Sequence, residues 1–298
     1  MQAQIEDFLN FITIEKGYSK HTIAAYRSDL TQLLAYLTDE GISSWREIGR
    51  DCLLEYIFYL KELEYASSTV ARKTATLKSF FHFLMIDEVL QDNVADTVDC
   101  PSVARHLPHP LSPDEVARLL RAPLKSDMPK ALQLRDWALL ELMYATGMRA
   151  SEIVGLDEDS VDLEDKTARC LGKGNKERIL PLYERAKGVL NAYIEIGRPT
   201  LLQEPEEKAL FVNQWGRRLT RQGLWLIIKK QSIAANIEHN VTPHTLRHTF
   251  ATHLLDGGAG LREVQQLLGH TNIVSTQIYT KVSTRRKRES YDKAHPRA

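Results

Sequence analysis

The chain has 298 residues, 43% apolar and 26% charged, enough for two globular domains, each with its own core. No run of about 18 apolar residues and no basic-then-apolar leader occurs, which argues against a membrane span or a secretory signal, and three scattered cysteines, Cys52, Cys100 and Cys170, suit neither a disulfide framework nor a metal knuckle, so a reducing cytoplasm is expected. Net charge is zero, but residues 1–106 carry 10 Lys+Arg against 16 Asp+Glu and residues 107–298 carry 29 against 23, which makes the second part the better candidate for a polyanionic partner.

Four helices are expected in the first hundred residues, near 2–16, 19–41, 51–64 and 67–87. Ile23, Tyr26, Leu30, Leu33, Leu34 and Leu37 recur at helical spacing in the second, and Gly41 stops it. Ser67 or Ser68 would cap the fourth, whose Val70, Leu77, Phe80, Phe81 and Leu84 share one side. Lys20 and Arg27 lie on the second helix, and Arg72, Lys73 and Lys78 on the fourth. In an otherwise acidic segment these cations read either as solvated helix faces or as two helices laid against DNA.

From Asp92 to Leu111 the periodicity fails, and Pro101, Pro108 and Pro110 suit an extended linker, with the domain boundary near residue 106. Ser112, Pro113 and Glu115 then open a helix as cap, first-turn proline and capping-box partner. "ALQLRDWALLELMYATG" reads as a buried helix ended by Gly147. "KTARCL", "GKGN" and "KERILPL" read as strand, turn and strand, with the tip near Lys173–Lys176. Helices follow near 184–196, 220–235, 243–256 and 260–268, and "STRRKRESYDKAHPRA" is a short basic helix or tail. The expected fold class is mainly α: an N-terminal four-helix domain (residues 1–106) and an α+β domain (residues 107–298) with a small antiparallel sheet.

In "TPHTLRHTFATHLL" His244 and His248 stand four apart, the spacing of helical zinc hydrolases. Thr245 stands where such a site needs its carboxylate base, and Arg247 on the same face would repel a divalent cation, so no metal is expected. Thr242 as cap and Pro243 in the first turn instead place His244 and Arg247 near a helix N-terminus. Its partial positive charge and free N–H groups favour a phosphate, and arginine adds a planar fork for phosphate oxygens. His248 and His253 read as packed or capping histidines. In "YATGMRASEIVGL" Arg149 follows Gly147, and Glu152 three residues on can hold its guanidinium, a pairing that is often only structural. Lys173 alone is an ordinary turn lysine, and His270 follows Gly269 at a helix C-terminus. Tyr279 in "STQIYTKV" is ordinarily a surface residue; ionised to only about one part in a thousand near neutral pH, it needs a neutralised target to act as a nucleophile.

In this order and with these gaps, "ATGMRASEIVGL", "LGKGNKERILPL", "TPHTLRHTFATHLL", "LLGH" and "STQIYTKV" together resemble the tyrosine site-specific recombinases of the phage integrase family, most nearly the Xer group. The resemblance is strongest over residues 110–298, and "YSKHTIAAYRSDL" and "SSTVARKTATLKSFFHFL" extend it into the first domain. It implies a core-binding, SAM-like helical domain with Lys20, Arg27, Arg72, Lys73 and Lys78 toward DNA, followed by the catalytic domain. It further implies Tyr279 as nucleophile and Arg149 and Arg247 on the scissile phosphate. His244 and His270 would act as hydrogen-bond donors and in proton transfer, Lys173 as the acid for the leaving 5′ oxygen, and Glu152 as the supporting carboxylate. No cofactor is implied. The implied partners are double-stranded DNA at a specific site, a tetramer of this chain alone or with a paralogue, and an activating DNA translocase; no membrane is involved. The basic tail, from about Ser283 to Ala298, would dock on a neighbour. The implied reaction exchanges strands through a four-way junction and resolves chromosome or plasmid dimers. That role is modestly favoured over a mobile-element integrase because no arm-binding domain precedes the first helix. A type IB topoisomerase-like enzyme that nicks and reseals, and a DNA-binding protein with an inactive site, are the remaining alternatives.

Overall fold

The computed structural model describes residues 1–99, 110–171, 177–269 and 291–297; Lys173, His270 and Tyr279 lie outside these. The chain divides into two compact units, Met1–His106 and Leu107–Ala298, with separate apolar cores.

The first unit holds α1 (Gln2–Ile14), α2 (Lys20–Asp39), α3 (Arg50–Glu62) and α4 (Ser67–Ile86). Ser19 caps α2 by accepting from the Thr22 N–H, and Gly41, at φ +77°, follows its end. Neither Ser67 nor Ser68 caps α4: the helix begins at Ser67 and has no side-chain cap. The core is rich in aromatics, with Phe8 edge-on to Phe80 and Trp45 edge-on to both Phe80 and Phe81. Such edge-to-face contacts favour one arrangement of the helices over a merely greasy interior.

In the second unit, α5 (Pro113–Arg121) starts with the expected capping box of Ser112 and Glu115. Next comes α6 (Lys130–Thr146), buried on almost every side, and then the short α7 (Ala150–Val154), a helix where the sequence pattern reads as a turn. The sheet is β1 (Val161–Asp162), β2 (Thr167–Leu171) and β3 (Glu177–Pro181), antiparallel in that order; β1 adds a strand to the expected hairpin. α8 (Glu184–Ala192) stops earlier than its periodicity implied. The chain passes through a π turn at Tyr193–Gly197 into α9 (Arg198–Leu201), where Arg198 donates to the carbonyls of Ala209 and Glu207. α10 (Arg221–Ala234), α11 (Pro243–Asp256) and α12 (Leu261–Leu268) follow, and α8 and α11 pack on α6.

Residues 291–294 form a last helical turn. Of the basic tail, residues 291–297 pack on the second unit. Tyr291, Ala294 and His295 are buried, and the His295 ring stacks on Tyr183 and Tyr291 at 4.9 and 4.8 Å between centroids. No helix among the described residues is long and apolar enough to cross a membrane.

Candidate active site

The site starts where α6 ends. Gly147 takes a left-handed φ of +59°, and a Cβ there would lie 2.3 Å from the Phe250 ring, so only glycine lets the chain turn this tightly under α11. The turn buries Met148 and leaves Arg149 as the extended residue before α7. Glu152, at the third position of that helix, reaches back. Its Oε2 accepts the Arg149 backbone N–H at 2.7 Å, and its Oε1 accepts Arg149 Nη1 at 3.0 Å. The Arg149 side chain stays 39% exposed, fixed at its root and open at its tip.

The second arginine arrives on α11. Thr242 caps this helix by accepting from the Thr245 N–H at 3.2 Å, and Pro243 occupies the first turn. Arg247 lies one turn further on, 9% exposed. Its Nη1 donates to Gly147 O at 2.7 Å and its Nη2 to Leu268 O at 2.6 Å. It therefore ties the end of α6 to the end of α12. Two of its five N–H groups are used in this way and three remain for an acceptor. Burial, and then the nearby Arg149 charge, lower its pKa to about 10, so it stays protonated at neutral pH.

Burial alone would raise the Glu152 pKa. Hydrogen bonds from Arg178 and Arg149 outweigh it, and the net shift is downward. Arg178 on β3 contributes two of them, Nη1 to Oε1 at 3.0 Å and Nη2 to Oε2 at 2.6 Å. Cys170, paired in register with Arg178, has its thiol pKa pushed up to about 11 by burial and is inert near neutral pH. The Arg149 and Arg247 guanidiniums thus share one wall, and Glu152, bonded by both Arg149 and Arg178, stands behind Arg149. Such a wall can grip a phosphodiester and meet charge that grows on its oxygens.

The structure brings Arg149, Glu152 and Arg247 together. His244 is exposed on the first turn of α11, three residues before Arg247. Lys173 belongs to the connection between β2 and β3 and His270 follows Gly269, but these two and Tyr279 lie outside the described residues. His248 is exposed, whereas His253 is buried with Nδ1 2.9 Å from the Tyr144 hydroxyl, and burial lowers its pKa. Among the described residues no group of three or more His, Cys, Asp or Glu could hold a metal ion. Arg178 was missed from the sequence. Its signal was strand parity: it alternates with Glu177 and Ile179 and shares the inward side with Leu180, an unusual place for a cation.

The five cations expected to face DNA in the first unit differ among themselves. Lys20 is exposed and Lys78 half-buried. Arg27 is exposed but forked onto Glu6, and Arg72 is half-exposed with Nη1 on Asp29. Lys73 must be corrected. It is buried, and its ammonium donates to Asp29 Oδ1 at 2.9 Å and Gln32 Oε1 at 2.6 Å, so it joins α4 to α2 and meets no external anion. On the outer side of α2, Lys20, Ile23, Ala24, Arg27, Ser28, Thr31, Gln32 and Ala35 line a shallow groove whose surface is mostly apolar.

Comparison with known proteins bears on both units. A sequence model of the Phage integrase family matches residues 110–286, and one of the phage integrase N-terminal SAM-like domain matches residues 5–88. The tyrosine recombinase XerC of Herpetosiphon aurantiacus is 47% identical over 297 residues, covering 100% of this chain and 96% of that protein. The tyrosine recombinase XerD of Staphylococcus epidermidis is 45% identical over 298 residues and 100% of both chains. Among solved structures, the XerH site-specific recombinase bound to its difH substrate before cleavage superposes with a TM-score of 0.65 at 26% identity. That match covers 90% of this chain and 78% of XerH.

Proposed function

The chain belongs to the phage integrase family and is a tyrosine recombinase, and we propose that it resolves chromosome or plasmid dimers by exchanging strands at one DNA site through a four-way junction. The observation that carries the reading is the convergence of Arg149 and Arg247 on one wall, each fixed by bonds that leave N–H groups for a phosphate. Near-equal identity to an XerC and an XerD supports the dimer-resolving role over that of a mobile element.

In this reading Tyr279 Oη forms a bond to phosphorus as the P–O5′ bond breaks. The tyrosine proton passes toward His244 and His270, and Lys173 protonates the departing 5′ oxygen, which is otherwise a poor leaving group. The 3′-phosphotyrosyl ester conserves the energy of the diester, so a 5′ hydroxyl from the partner duplex reverses the step without ATP. Charge that develops on the non-bridging oxygens falls on Arg149 and Arg247. Lys20, Arg27, Arg72 and Lys78 in the first unit supply sequence-independent phosphate contacts. Two duplexes present four strands and each copy carries one nucleophile, so the working assembly is a tetramer of this chain, alone or with a paralogue. A DNA translocase is a further partner, and the cytoplasm is the place of action.

The test is a nicked suicide duplex carrying the host's candidate replication-terminus site. The native chain should become covalently attached to the 3′ end. Tyr279→Phe should bind the duplex equally well and form no adduct; an adduct in that variant overturns the assignment. Crossed products from two marked sites separate recombination from nicking and resealing alone.

A further inference from the structure

Arg178 plays no part in the reading above, yet strand parity turns it inward on β3, opposite Cys170 and alongside Leu180, while Glu177 and Ile179 face out. A guanidinium on the inward side of a small sheet is stable only against an anion. Glu152 is that anion, held by two parallel bonds at 3.0 and 2.6 Å between side chains 12% and 6% exposed. The same two oxygens accept Arg149, so the carboxylate takes four bonds, two from each arginine.

We propose that Arg178 is a positioning residue for strand cleavage: it neutralises Glu152, so that the carboxylate can hold Arg149 in place without cancelling its charge. The inference rests on the recombinase reading of this site. With Arg178 present, three guanidiniums and one carboxylate leave two positive charges facing the phosphate. Without it, Glu152 offsets Arg149 and one remains. A phosphodiester carries one negative charge, and its five-coordinate transition state gathers a second on the same oxygens. The extra positive charge therefore acts mainly on the chemical step and little on ground-state binding.

A second contact reinforces the placement. Gly269 ends α12 with φ +67°, and a Cβ there would lie 2.7 Å from Arg178 Nη1. The guanidinium occupies the space a side chain at 269 would need, directly under the residue that precedes His270. Arg178 thus joins α7, β3 and the end of α12.

The charge argument makes an unusual demand, tested in the full-length protein by single-turnover cleavage of the nicked duplex at saturating enzyme. Arg178→Gln should slow adduct formation roughly 10- to 100-fold while the DNA dissociation constant stays within about twofold. Removing the carboxylate as well, in Glu152→Gln/Arg178→Gln, restores two positive charges and should recover at least about tenfold of the lost rate. A purely structural Arg178 would make the double variant no faster than the single one, and that result overturns the proposal, as does native-rate cleavage by Arg178→Gln. Where Arg178→Gln fails to fold with Glu152 left unpaired, the double variant, which buries no lone charge, carries the test. Cleavage within about tenfold of native supports the proposal and any larger deficit overturns it. Absence of any adduct from the native chain would instead overturn the recombinase reading itself.

Discussion

Lys73 and Lys78 stand five residues apart on α4 and differ in exposure: Lys73 is buried and Lys78 half-buried. The Lys73 ammonium is spent on Asp29 and Gln32 inside the first unit, and the Asp29 carboxylate, 2% exposed, also accepts from Arg72 and from Thr76 Oγ1 at 2.9 Å. Lys73→Gln should therefore lower stability by about 1–3 kcal/mol, because a buried carboxylate loses a charged donor, and leave the salt dependence of DNA binding unchanged. Lys78→Gln should do the reverse, with little change in the melting temperature and a slope of log K against log salt shallower by about 0.9. Melting curves and binding titrations across salt check both; a shallower slope for Lys73→Gln would return it to the DNA face. The same comparison shows what a sequence reveals at this scale. The Arg149–Glu152 pair and the Thr242–Pro243–Arg247 helix start were legible because their geometry is local, set by three-residue spacing and cap chemistry. Lys73 and Arg178 were not, because their partners Asp29 and Glu152 lie 44 and 26 residues away, and no local pattern tells a solvated lysine from one closed onto a distant carboxylate.

Helices with strong stops and one-sided apolar patterns could be placed from sequence to within a few residues. Short elements could not: α7 and β1 are held by Glu152 and by pairing with β2, contacts that periodicity does not record. The tail hid its structure for a related reason. Its basic run suggested a solvated or partner-bound segment, and no charge pattern marks Tyr291, Ala294 and His295, which hold residues 291–297 on the second unit. His295 Nε2 lies 3.3 Å from Tyr144 O, and its Nδ1 accepts the Arg297 N–H at 3.2 Å. Only the neutral ring with its proton on Nε2 satisfies both. Burial lowers the His295 pKa from 6.5 to about 4, and the Arg297 and His253 charges act in the same direction. A histidine whose folded pKa is depressed contributes stability that is complete above its unfolded pKa and lost as pH falls through the folded one. Docking of residues 291–297 should thus weaken between about pH 6.5 and pH 4 by about 3 kcal/mol. Hydrogen exchange of this segment should speed up across that window and stay flat in His295→Phe, which keeps a ring and cannot be protonated. Equal acceleration in both proteins would assign the effect to other groups.

At the level of the whole molecule the deciding quantity is the number of nucleophiles. The chain holds one set of site residues, and the proposed reaction opens four strands, so every copy in the assembly must be competent for a complete exchange. Mixing native chain with Tyr279→Phe turns this into a count. If the chain works alone and copies assemble at random, crossed product should fall as the fourth power of the native fraction, to about one sixteenth in an equal mixture. If a paralogue supplies half of the positions, this chain contributes two, and the same mixture gives about one quarter. Wild-type paralogue held in excess makes the two cases directly comparable, and both variants must bind the site equally for the count to hold, which a mobility shift establishes first. Product that falls only in proportion to the native fraction would mean that one competent copy suffices. That is the behaviour of an enzyme that nicks and reseals a single duplex, and it would remove strand exchange from the function of this chain.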